Sequence, residues 1–377
     1  MTKDRPARAE SPAAAVADNQ PQDQSRLLSE IRFADLPGWP GDDHLAAFQA
    51  FRRGGLAGSL PKTRALGIDG AGFAAAFQSA LALGGDPAPE AARAFFEDHF
   101  RPCRIVAEGF VTGYFEPEVE ASAERTERFS VPIHARPPEL VEVDDENRPA
   151  RWDREMRFAG FFAGRLLPYA DRRAIDHGFL DGRGLELAFL ADPVDAFFIH
   201  IQGSARLKMT DGSVRRISYA GKTGHAYTSI GRIAVQRGYL SLEGADKAGL
   251  ESWLKSDPLA GRALMHENRS YIFFQVSPGL GPDDGPLGAA HVPLSPLRSL
   301  AVDRTLMTFH TPVWVDAAEL GFRQLMIAQD TGSAIVGPAR GDIYFGSGDE
   351  AGERAGKVRH PASMVALVPV GRPGAQP

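Results

Sequence analysis

At 377 residues the chain is long enough for two ordinary domains, each with its own core. Hydrophobic residues at 43% and charged residues at 24% are ordinary for a soluble globular protein, and a net charge of −6 with no basic run argues against a nucleic-acid partner. The single cysteine, Cys103, excludes an intrachain disulfide and a multi-cysteine metal site, and no apolar run reaches the roughly 18 residues of a membrane span.

Residues 1–24 lack apolar mass and predict a disordered start, without the apolar stretch of roughly 7–15 residues found in a signal peptide. Residues 25–102 read as helical. Asp42 and Asp43 can cap a helix whose Leu45, Phe48 and Phe51 recur every third residue and which stops at Gly54. A second helix carries Phe73, Phe77 and Leu81 to Gly84-Gly85, and a third opens at Asp86-Pro87 and holds Phe95, Phe96 and Phe100. These helices read as a packing layer without chemistry. From Arg104 the pattern shortens: IVAEGFVTGYFEPEVEAS mixes β-branched and aromatic residues with Gly, and Pro117 marks an edge or an exit. Within 132–270 the alternation predicts a strand over Asp195–Gln202, with Phe197, Ile199 and Ile201 on one face. Asp211-Gly212 predicts a two-residue hairpin turn, followed by helices around Tyr227–Arg237 and Ala248–Lys255. Residues 271–369 return to short strands, and 370–377 read as a flexible tail. The outer pieces, 104–131 and 271–369, then form one barrel-like β unit, which with the N-terminal helices makes a domain of 25–131 plus 271–369, and 132–270 is inserted into it. The fold class is mainly β with a helical N-terminal region.

The stretch richest in chemistry is Ala328–Gly356, AQDTGSAIVGPARGDIYFGSGDEAGERAG. Asp330 follows an apolar strand and Asp342 comes 12 positions later, both set among glycines that let a ligand approach the backbone closely. Asp303 in SLAVDRT follows a similar apolar run. One Asp-Thr-Gly does not make an aspartic protease, which needs two carboxylates sharing a proton. Asp342 reads either as a turn aspartate capping local N–H groups or as an acid pushed towards neutrality by Asp330 and by burial. Glu116 in GYFEP is a rival acid beside Tyr114 and Phe115, or else a solvated residue at a strand end. Gln202-Gly203-Ser204 suits sugar hydroxyls as well as it suits a plain turn. Lys222, His225 and Tyr227 form a polar loop that either lines a pocket or leads into a helix. His200 and His225 have no metal-ligand spacing, and no phosphate loop, dinucleotide fingerprint or nucleophile elbow occurs, so neither metal nor cofactor is expected.

Six segments carry a resemblance: VTGYFEP, RRAIDHGFLDGRGLELAFLADPVDAFFIHIQGSARL, SYAGKTGHAYTSIGR, ENRSYIFF, GPLGAAHVPLSPLRSLAVD and AQDTGSAIVGPARGDIYFGSGDEAGERAG. In this order, over roughly 104–369, the chain resembles the membrane-bound lytic murein transglycosylase A family. The last two segments also resemble the 3D domain, whose three aspartates fall on Asp303, Asp330 and Asp342. The resemblance implies a double-psi β-barrel built from the outer segments, an inserted β-rich domain and a long groove between them. It implies cleavage, without water, of the β-1,4 bond between N-acetylmuramic acid and N-acetylglucosamine in peptidoglycan glycan strands, leaving a 1,6-anhydro ring. The substrate implies the periplasmic side of the cell envelope. Asp342 is then the catalytic aspartate, acid first and base second, with Asp330 orienting it or raising its pKa. Tyr114, Gln202, Ser204, Tyr271 and Asp303 are expected at the glycan. The alternative on the same fold is a peptidoglycan-binding protein without turnover. Two departures stand out: Val336 occupies the place of a usual lysine, so that either Arg340 substitutes for it or activity is weaker, and no lipobox signals an outer-membrane anchor. The sequence carries no signal for oligomeric state, and a monomer is the default.

Overall fold

The computed structural model describes residues 27–370 except 59, 62, 154–155, 278 and 282–283. The expected disordered start lies outside those residues, as does the expected tail beyond Val370. After a short strand β1 (Leu28–Glu30) comes α1 (His44–Ala57), then a small hairpin of β2 (Arg64–Ala65) and β3 (Ile68–Asp69), then α2 (Phe73–Leu83) and α3 (Pro89–His99). Only Asp43 caps α1, accepting from the Ala46 N–H, while Asp42 pairs with Arg298 at 2.9 Å. The helix runs past the expected stop at Gly54 because the left-handed cap is Gly58. Gly54 has a packing role instead, since a Cβ there would meet His310 Nδ1 at 2.7 Å. The third helix starts at Pro89, later than Asp86-Pro87 suggested, with proline in its first turn. The phenylalanines of the three helices interlock, Phe51 against Phe77 at 4.9 Å and Phe48 against Phe95 at 5.0 Å, and join the core beneath the barrel.

Strands β4 (Phe100–Ile105) and β5 (Gly109–Glu116) open the barrel, and after Pro117 the chain leaves it. It then lays down β6 (Glu118–Ser122), β7 (Val131–His134), β8 (Leu140–Glu142), β9 (Phe158–Phe162) and β10 (Arg165–Leu167). Next come α4 (Arg172–Asp176), β11 (Glu186–Leu190), α5 (Pro193–Gln202), β12 (Ser204–Met209) and β13 (Val214–Lys222). The excursion ends with α6 (Ile230–Gln236), α7 (Lys247–Ser256), α8 (Pro258–Met265) and β14 (Ile272–Val276). Six of these strands form one sheet in the order β14-β13-β12-β6-β11-β7, and β10-β9-β8 form a small second one. Back in the barrel follow β15 (Ser299–Val302), β16 (Pro312–Ala317), β17 (Phe322–Asp330), β18 (Arg340–Ser347), α9 (Asp349–Gly356) and β19 (Arg359–Pro369). The order β1-β4-β19-β16-β17-β15-β18-β5 has an added β19–β5 pairing, which closes six strands on themselves. The second sheet thus begins straight after Pro117, and an expected boundary at 132 would cut through β7.

Asp195–Gln202 is a helix, not a strand. Asp192 caps α5 by accepting from the Val194 N–H, Pro193 fills the first turn, and Gly203 at φ 79° ends it. Its Phe197, Phe198, Ile199 and His200 are all buried, so apolar residues face every direction and mimic strand alternation. The Asp211-Gly212 hairpin forms between β12 and β13, but its loop is Thr210–Gly212, closed by the Met209 N–H on the Ser213 carbonyl.

Helix α9 lies directly on β5 and β18. A Cβ added to Gly113 would sit 2.8 Å from both Cα and O of Ala355 and 2.8 Å from a Phe345 ring carbon. Only glycine permits that approach. Gly113→Ala should therefore lower stability by about 1–3 kcal/mol through overpacking. The check is the urea midpoint at unchanged slope; an unshifted midpoint would mean that α9 yields freely.

Candidate active site

Four adjacent strands, β5, β18, β15 and β17, set a row of side chains at one level. Thr112 pairs with Asp342, Asp342 with Ala301, and Ala301 with Asp330. The two carboxylates therefore flank a short strand whose residue between them is only alanine. Strand alternation puts Arg340, Asp342 and Tyr344 on one face of β18, beside Thr112 and Tyr114 of β5. The Tyr114 and Tyr344 rings lie 5.3 Å apart and wall one side.

The carboxylates are held differently. Asp330 accepts from the Tyr114 hydroxyl at 2.8 Å and from the Ala289 N–H at 3.0 Å. Burial raises its pKa, while the Ala289 and Thr331 amides and Tyr114 oppose that. Asp342 Oδ1 accepts from the Thr112 hydroxyl, which in turn accepts from Arg340 Nη2 at 2.6 Å. Burial pushes Asp342 up to about 6; Thr112 and Arg340 pull it down and the charge of Asp330 adds to the rise. Burial prevails over the three donors and raises the Asp330 pKa, and Asp342, pushed up to about 6, is the member poised to take a proton near neutrality. Tyr114, raised well above its ordinary range by burial and by Asp330, stays a neutral donor. Both aspartates are half-buried. The arrangement sets a proton donor beside a second, hydrogen-bonded carboxyl group.

The structure brings Asp342, Asp330 and Tyr114 together, with Tyr114, expected at the glycan, donating to Asp330, and it places the other candidates elsewhere. Gln202, at the C-terminus of α5, accepts from the Phe115 N–H at 3.3 Å and so ties the inserted part to β5. Ser204 is buried in β12 opposite Ser218. Tyr271 is 2% exposed, with its hydroxyl 2.8 Å from His134 Nδ1 and its ring 4.2 Å from that of His200; it is a core residue and no glycan can touch it. Asp303 is also spent on structure: it takes the Thr305 N–H and hydroxyl and, at 2.9 Å, the Gly337 N–H, pinning the loop between β17 and β18. His225 is buried against the Tyr169 carbonyl at 2.9 Å. Glu116 is not solvated but fully buried, accepting from the Ser347 hydroxyl at 2.6 Å and lying between Arg216 at 3.5 Å and Arg206 at 3.8 Å. Sequence reasoning missed Thr112 and Ala301. Thr112 stands two before Tyr114 on one strand, and that period was the available signal.

Comparison with known proteins adds the following. A family model of the MltA-specific insert domain matches residues 110–275, and one of the 3D domain matches 298–368. The solved membrane-bound lytic murein transglycosylase from Agrobacterium tumefaciens is 43% identical, with a TM-score of 0.85 over 91% of this chain and 97% of that one. The structure of E. coli MltA with bound chitohexaose is 26% identical, with a TM-score of 0.66 over 92% and 95%. The membrane-bound lytic murein transglycosylase A of Vibrio cholerae is 31% identical over 264 residues, which span 66% of this chain and 62% of that relative's length.

Proposed function

Since the chain belongs to the membrane-bound lytic murein transglycosylase A family, we propose that it is a lytic transglycosylase cleaving peptidoglycan strands at N-acetylmuramic acid with closure of a 1,6-anhydro ring. The observation that carries this reading is Asp342, half-buried and pushed up to about 6 beside the hydrogen-bonded carboxyl group of Asp330. Ordinary glycosidases place two carboxyl groups across the scissile bond, one of them serving water or the sugar. Here the second carboxylate is consumed by Tyr114 and two backbone amides, so one carboxyl group is left for chemistry.

Protonated Asp342 gives its proton to the glycosidic oxygen as the bond to C1 breaks. The carboxylate then takes the proton of the C6 hydroxyl as that oxygen bonds to C1. One proton leaves and one returns, so the enzyme is regenerated without water. Intramolecular attack has a large effective-molarity advantage, so no activated water is needed. Asp330 adds to the rise at Asp342 and so favours the protonated acid. We read the closed barrel as a double-psi barrel and the groove as running between it and the inserted sheet. Gln202 stands at that seam, and Tyr114 acts on the glycan through Asp330. Such a substrate puts the protein on the periplasmic side of the envelope; among the described residues no helix is long and apolar enough to cross a membrane.

The test is incubation with purified sacculi and mass spectrometry of what is released. The expected muropeptides are one water lighter than hydrolysed ones. A binding protein without turnover would pull down with sacculi and release nothing, and a hydrolase would leave reducing ends. The donor must be protonated, so kcat/KM should fall about tenfold per pH unit above about 6. A profile flat from pH 6 to 8 would exclude Asp342 as the donor.

A further inference from the structure

We propose that Arg340, acting through Thr112, fixes which oxygen of Asp342 carries the transferable proton, and that this oxygen is Oδ2. The proposal rests on the reading of Asp342 as the proton donor.

The reasoning starts from what each group can do in a hydrogen bond. A guanidinium has five donors and no acceptor. Arg340 Nη2 lies 2.6 Å from Thr112 Oγ1, so the threonine oxygen must accept there. Its one hydrogen is then free to point only elsewhere, and the neighbour that receives it is Asp342 Oδ1. Arg340 cannot easily turn away, because it also donates to the Gly341 carbonyl and lies over the Phe110 ring at 5.7 Å. The chain of donors therefore runs one way, from cation to hydroxyl to carboxyl.

A proton placed on Oδ1 would face the threonine hydrogen. Avoiding that clash would mean turning the hydroxyl towards the guanidinium, where it would meet another donor. Neutral Asp342 therefore carries its proton on Oδ2, which accepts no hydrogen bond from any described residue. That oxygen gives its proton to the leaving oxygen and later takes the C6 proton. Oδ1 stays anchored throughout, so the carboxyl group need not rotate between the two steps.

The relay also accounts for a local oddity. Val336, at the place where the resemblance implies a lysine, is 72% exposed and uncharged. The cation serving the donor is instead supplied from β18 itself, two residues before Asp342, on the same face. Arg340 and Thr112 are positioning residues in this scheme, since neither touches the sugar.

The experiment compares Arg340→Met and Thr112→Val with the parent, and uses Thr112→Ser as the conservative rescue. Two readouts are taken: the titration of the Asp342 carboxyl carbon by NMR, and the pH profile of anhydro-muropeptide release. Met and Val should each move the carboxyl midpoint upward, because each removes a group that favours the charged form. They should also lower the plateau rate about 10–100-fold through lost orientation. Thr112→Ser should restore both. A lower rate with an unmoved midpoint would assign the pair a merely structural part and overturn the proposal, as would parent-like behaviour of Arg340→Met. If the carboxyl titrates as expected but the parent protein leaves sacculi intact, the glycan reading is what fails, and the catalytic part of the proposal fails with it.

Discussion

Asparagine at position 342 should reduce release of anhydro-muropeptides by about 1,000-fold while making the folded protein more stable at neutral pH. The first effect follows from losing the only carboxyl group free to move a proton. The second follows from linkage. Folding raises the Asp342 pKa from 3.8 to about 6, so the folded state holds the proton more tightly than the unfolded one. Below the unfolded value both states are protonated and the residue is neutral in its effect. As pH rises through the window, the unfolded chain ionises first and stability declines, reaching its full deficit above about 6. Asparagine carries no such deficit. The variant should therefore gain about 1–2 kcal/mol over the parent between pH 4 and pH 7, a figure reduced for the partial exposure of the site. Urea melts at the two pH values, with turnover on sacculi, check both halves. Full activity, or a variant weaker than the parent at pH 7, would count against the assignment.

A larger loss of stability is expected at Glu116. This carboxylate is 0% exposed, and it faces the Arg216 side chain, 7% exposed, and the Arg206 side chain, 20% exposed. Burial raises its pKa, while Ser347, Arg216 and Arg206 oppose the rise. Such a cluster adds little by existing, because the charges leave water to form it. Breaking it is another matter. Glu116→Ala leaves the Arg216 guanidinium, 7% exposed, without its carboxylate, while Arg206 keeps Glu118 at 3.5 Å, at a cost of about 3–5 kcal/mol. Chemical denaturation measures this directly, and a loss below about 1 kcal/mol would mean that water reaches the arginines once the carboxylate is gone.

Local signals gave the helices of the first hundred residues because each buries one stripe and has a glycine or proline at one end, Gly58 after α1, Gly84 after α2 and Pro89 opening α3. The same logic failed at α5. Its surroundings are apolar all round, so periodicity carried no information there, whereas Asp192-Pro193 and Gly203 were start and stop signs that outranked it. The candidate site was half legible. Asp330 and Asp342 could be linked because one glycine-rich stretch holds both. That they flank Ala301, and that Thr112 reaches Asp342 from 230 residues earlier, depends on strand register between distant segments, which no local pattern encodes. Tyr271 and Asp303 were misjudged for a related reason. An aromatic or an acid beside small residues looks the same whether it meets a ligand or completes the protein's own interior and turns.

Pro117 alone separates the strand that carries Thr112 and Tyr114 from the first strand of the inserted sheet. The ring fixes one of its two backbone torsions, so there is almost no slack at this joint. The insertion is therefore not a module hung from a surface loop, and it cannot be trimmed or exchanged like one. Grafting the corresponding segment from a relative would re-aim the phenol that steadies Asp330, three residues upstream of the splice, even if every acidic residue kept its place.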